Sequence, residues 1–96
     1  MKWLEIITIR TVGIAEREKT LKFLEQMELP QANDGPLDIN VYTNAVIETD
    51  LSIHIHWNAE TMDQGKSSLG LELAQTLRDV GLTNHSLWVG GRRGSR

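Results

Sequence analysis

Hydrophobic and polar residues alternate strictly in LSIHIHW, residues 51–57, where Leu51, Ile53, Ile55 and Trp57 take the odd positions and Ser52, His54 and His56 the even ones. A period of two places these sets on opposite faces of a β-strand. The preceding stretch LDINVYTNAVIE, residues 37–48, repeats the pattern. Leu37, Ile39, Val41, Ala45 and Ile47 form one face, and Asp38, Asn40, Tyr42 and Asn44 the other. With only Thr49 and Asp50 between them, the two segments read as a hairpin with matched apolar faces. WLEIITIR, residues 3–10, is apolar in both registers, as expected of a central strand covered on both sides.

Two segments follow the helical period instead. In IAEREKTLKFLEQMEL, residues 14–29, Ile14, Leu21, Leu24 and Met27 fall near one helical face, and Pro30 closes the segment. PQANDGP reads as loop. After NAETMDQGKSS, Leu69, Leu73, Leu77 and Val80 recur at spacings of four, four and three, with Gly81 placed as the helix cap. Thr61 and Gln64 have capping-box spacing. HSLWV, residues 85–89, ends the pattern as a short strand.

The order is βαββαβ, and the expectation is a ferredoxin-like α+β sandwich: one antiparallel four-stranded sheet with both helices on one face. Residues 1–89 form the single domain, and 90–96 a disordered Gly/Arg tail. Two helices cover one side of the sheet. The strand parities leave His54 and His56 on the other, beside Asn40, Tyr42 and, with Leu87 and Val89 turned into the core, Ser86 and Trp88. The apolar residues of strand 1 that also face this side call for a cover, and a second copy of the chain is the expected one.

The topology resembles the dimeric α+β barrel superfamily, in which two ferredoxin-like subunits pack sheet to sheet around a shared interior. Locally, IHWNAET resembles the strand, Trp and helix passage of antibiotic-biosynthesis-monooxygenase-type domains. The resemblance implies a homodimer. Such domains often carry a His early in the following helix, and QGKSSLGLE has none, so no catalytic residue is carried over.

Composition narrows the classes of function. The 96 residues contain no cysteine, which excludes disulfides, iron–sulfur clusters and thiol catalysis. The net charge is −3, and residues 1–89 are more acidic still, because Arg92, Arg93 and Arg96 lie in the tail. That balance argues against nucleic acid as a partner. The amino terminus does not read as a signal peptide, and no apolar run has membrane-spanning length, so the expected compartment is the cytoplasm.

Candidate chemistry centres on the histidines. A His-x-His on one strand sets two imidazoles on one face, ~7 Å apart at Cα, a spacing that suits one transition metal if further ligands are supplied. His85, Asp38, Glu5 and a residue of another subunit are the candidates to complete it, none with diagnostic spacing. Alternatively, the pair lines a hydrated cavity, or moves protons with Tyr42 as donor and Trp88 as an apolar wall. GKSS, residues 65–68, lacks the upstream glycine of a P-loop, where Glu60 stands instead, and reads as a helix start. The aromatic code of RNA-recognition sheets is absent from strand 3. No motif names a cofactor. The expected function is binding of a small molecule in a His-lined cavity between the sheets of a homodimer, with Asn40, Tyr42, His54, His56 and Trp88 as lining. The alternative is a protein-interaction or regulatory module that binds no ligand.

Overall fold

The computed structural model describes residues 2–28, 36–58 and 67–90. Six elements follow one another: β1 (Lys2–Thr11), α1 (Ile14–Glu25), β2 (Asp38–Thr43), β3 (Asp50–Asn58), α2 (Ser68–Leu77) and β4 (Gly81–Val89). The strands form one sheet in the order β2-β3-β1-β4, and every neighbouring pair is antiparallel. This is the ferredoxin-like α+β arrangement, with β1 central as its two-sided apolar pattern requires. α1 ends at Glu25 with Gln26 as its C-cap, before the Pro30 expected to close it; most of the PQANDGP loop, the Thr61/Gln64 capping box, Lys66 and residues 91–96 lie outside the described residues. No helix among the described residues is long and apolar enough to cross a membrane.

The core lies between the helices and one face of the sheet. Ile7 and Ile9 of β1 and Leu51, Ile53, Ile55 and Trp57 of β3 meet Leu24 of α1 and Leu73, Ala74 and Leu77 of α2. Ile39 and Val41 extend this layer from β2, and Trp3 and Val80 pack at its margins. Each buried aliphatic side chain contributes about 1.5–3 kcal/mol of burial, so the odd-numbered positions of the sheet hold most of the stabilisation.

Several boundaries differ from the sequence pattern for local reasons. The alternation of β2 runs on through Ala45 and Ile47, yet the strand ends at Thr43. There the Asn44 Oδ1 accepts hydrogen bonds from the Val46 and Ile47 amides at 2.8 and 2.9 Å, turning the chain before β3. Thr11 ties the end of β1 to this turn by donating its hydroxyl to the Thr49 carbonyl at 2.9 Å. Arg17 of α1 donates to the Glu48 carbonyl beside it, also at 2.9 Å. Gly81 opens β4 and is not a helix cap; Arg78 occupies that position. A Cβ at Gly81 would collide with the Arg10 carbonyl across the β1–β4 ladder, which explains the glycine. The ladder continues past β4, where the Gly90 amide donates to the Lys2 carbonyl at 2.6 Å.

Candidate functional site

Strand register decides which side chains meet on the face away from the helices. Ile6 lies opposite His54 on one side and Ser86 on the other, while His54 lies opposite Asn40. Leu4 is likewise flanked by His56 and Trp88, and His56 by Asp38. The open face thus unites Asn40, Tyr42, His54, His56 and Trp88 on one sheet surface, with Leu4 and Ile6 running between the histidines and the tryptophan. Ser86 and Trp88, not His85 and Leu87, are the β4 residues on this side.

Each polar ring is held in place. His56 Nδ1 lies 2.6 Å from Asp38 Oδ1, which turns Nε2 away from the carboxylate. His54 Nε2 lies 2.9 Å from the Ser52 hydroxyl, and the Tyr42 ring leans on the His54 ring at 4.7 Å between centroids and 53° between planes. Trp88 donates its indole N–H to Ser86 Oγ at 2.9 Å, yet 58% of the residue is exposed. Partial burial, reinforced by the neighbouring His56, pushes the His54 imidazole below its ordinary titration range and favours the neutral ring. At the far end of the face Arg10 grips Asp50 with two hydrogen bonds, 2.8 and 3.1 Å. The first effect of that grip is to hold the Asp50 carboxyl below its usual range.

The face is shallow in a single chain. A depression of about 120 Å³ lies among Thr8, Tyr42, Asn44, Asp50 and Ser52. One of about 230 Å³ lies among Thr8, Arg10, Asp50, Leu82 and Asn84. Both fall short of the ~300–1,000 Å³ usual for small-molecule sites, and neither is lined by the histidines. A larger groove of about 440 Å³ opens elsewhere, between α1 and the edge of β2, lined mainly by Leu21, Leu24, Met27, Ile39 and Val41. Among the described residues, no group of three or more His, Asp or Glu side chains is placed to hold a metal ion. Of the candidate third ligands for the His pair, Asp38 is engaged with His56, and Glu5 and His85 lie across the sheet.

Glu5 and His85 form a second polar centre, inside the core. Glu5 is 0% exposed, and its carboxylate accepts hydrogen bonds from four donors. Oε1 takes the Trp57 indole N–H at 3.0 Å and the Ser67 hydroxyl at 2.6 Å. Oε2 takes the Ser67 amide at 3.0 Å and His85 Nε2 at 2.7 Å. Ser67 in turn caps α2, its hydroxyl accepting from the Gly70 amide at 2.9 Å. Gly70 has no side chain because Glu5 lies where its Cβ would be. His85 Nδ1 is buried without a hydrogen-bond partner. The centre therefore docks α2 onto β1, β3 and β4. The clue to it in the chain is a lone acid at Glu5, in phase with Ile7 and Ile9, together with the parity that turns His85 inward once Trp88 faces out.

No family model matches the chain, and no curated protein or solved structure matches it either.

Proposed function

We propose that the open sheet face is the working surface of this protein: two copies pair sheet to sheet through it, in the manner of dimeric α+β barrels. The interior between them then binds a small molecule against Asn40, Tyr42, His54, His56 and Trp88. The observation that carries this reading is the composition of the face. Half-buried Leu4 and Ile6 run beside two imidazoles whose orientations are already set, with exposed Trp88 on the other side of Leu4. Apolar groups on a broad flat surface favour association, and fixed polar groups among them favour recognition.

Size agrees with this reading. The molecule is a slab with principal extents of 39 × 38 × 20 Å, and the open face is one of its broad sides. Strand spacing and rise give the sheet a footprint of roughly 500 Å². With side-chain relief added, this approaches the ~800 Å² per partner of a standard interface. Shallow depressions in one chain become enclosed space when a second sheet lies over them ~10 Å away.

A native mass spectrum of protein purified without chelator tests the proposal. The expected result is a dimer carrying additional mass that is lost on denaturation. His54→Ala and His56→Ala are each expected to lose that mass while remaining dimeric. A protein that stays monomeric, or a dimer that keeps its ligand in both variants, contradicts it. Recovery of a different protein in place of the second copy, released by substitutions on this face, would favour the interaction-module alternative.

A further inference from the structure

We propose that His54 and His56 from two copies of the chain together form a binding site for one divalent transition-metal ion at the two-fold axis between the sheets. The inference rests on the sheet-to-sheet pairing proposed above and narrows what the interior holds to a metal centre.

Three observations carry it. First, residues two apart on a strand face the same way, and a neutral imidazole is a ligand suited to zinc, copper and nickel. Second, the His56 ring is arranged as metal-ligating histidines are. One nitrogen is held by a carboxylate, Asp38, at 2.6 Å, and Nε2 is directed away from it with no hydrogen bond to another described residue. Such a carboxylate fixes the ring's tautomer and raises the basicity of the free nitrogen. His54 is braced on one nitrogen by Ser52 and on its face by Tyr42, leaving Nδ1 for a ligand.

Third, the position suits a two-fold axis. His54 is the middle residue of β3, and β3 is one of the two inner strands of the sheet. A two-fold axis parallel to the sheets, midway between them and passing over this point, brings the His54/His56 pairs of both copies together. One chain supplies two nitrogens, too few for a closed site, and no third ligand joins them among the described residues. Two copies supply four, the number a tetrahedral zinc site requires. Facing sheets ~10 Å apart leave room for imidazoles from both sides with an ion between them. The two Asp38 carboxylates stand behind the ligands and offset the cation's charge.

The test uses Zn²⁺ alone as the probe, added to chelator-treated full-length protein, with calorimetry for stoichiometry and sedimentation equilibrium for assembly. The expected result is one Zn²⁺ per two chains and a dimer at least tenfold tighter with zinc than without. His54→Ala and His56→Ala should each weaken zinc binding by a hundredfold or more. Asp38→Asn should weaken it about tenfold, through loss of ring orientation. Circular dichroism is expected to show all three variants folded, since these side chains lie outside the core. One ion per chain, or binding unchanged in both histidine variants, overturns the shared site. A dimer that forms without zinc and binds none overturns the metal site and leaves the paired sheets standing. A monomer with and without zinc overturns both.

Discussion

Two histidine–carboxylate pairs lie on opposite faces of one sheet, with nearly the same separation and contrasting surroundings. His85 and Glu5 are 2.7 Å apart with side chains 2% and 0% exposed; His56 and Asp38 are 2.6 Å apart with side chains 39% and 59% exposed. In the core, every oxygen of the carboxylate is committed and α2 is docked through it. On the open face, the carboxylate holds one side of an imidazole whose other nitrogen points outward. The same contact is structural where water is excluded and available for binding where a surface is left open. The difference teaches that a pair's distance says little about its role until its burial and its remaining partners are known.

Breaking the two pairs should expose this contrast. Glu5→Ala strands the indole, serine and imidazole donors in the core and is expected to destabilise the fold by about 3–5 kcal/mol, read from urea denaturation. Gly70→Ala drives a methyl group into the same carboxylate and should cost about 1–3 kcal/mol. Ser67→Ala removes the α2 cap and a donor to Glu5, with an expected loss of about 1–2 kcal/mol. His56→Ala, on the open face, should change stability by less than about 0.5 kcal/mol, so its effect must be sought in binding. A core variant that proved harmless, or an open-face one as damaging as Glu5→Ala, would remove the distinction.

The smallest expected effect is a dependence on pH. Folding holds His54 below its ordinary value of 6.5, so the unfolded chain takes up the proton first as pH falls. This contribution to stability is complete above about pH 6.5 and declines below it, toward the lower value of the folded state. Urea midpoints compared at pH 7.5 and 5.5 should fall less in His54→Gln than in the wild type. An equal fall in both would show that His54 plays no part.

The sequence made the open face legible because β3 alternates without a fault. Once Leu51, Ile53, Ile55 and Trp57 face the helices, His54 and His56 must face away, and hairpin pairing brings Asn40 and Tyr42 beside them. Trp88 followed from turning Leu87 and Val89 inward, although neither joins the core: Leu87 is only half-buried and Val89 is 50% exposed. The start of β4 was hidden, because this edge strand exposes Leu82 and buries His85, an inversion of the usual pattern. The Glu5 centre was hidden for a related reason: its partners come from β3, β4 and the start of α2, far apart in the chain. A buried acid can be recognised from sequence only when its donors are also known to converge. The short reach of β2 depended on a side-chain turn at Asn44, which an apolar pattern does not register.

The most direct measurement is sedimentation equilibrium of the wild-type chain beside Trp88→Glu, a substitution of an exposed residue that leaves the core untouched. Pairing through the open face predicts a wild-type mass of twice the 10.8 kDa chain and a folded, monomeric variant. A wild-type monomer, or a dimer equally stable with glutamate at position 88, would contradict it.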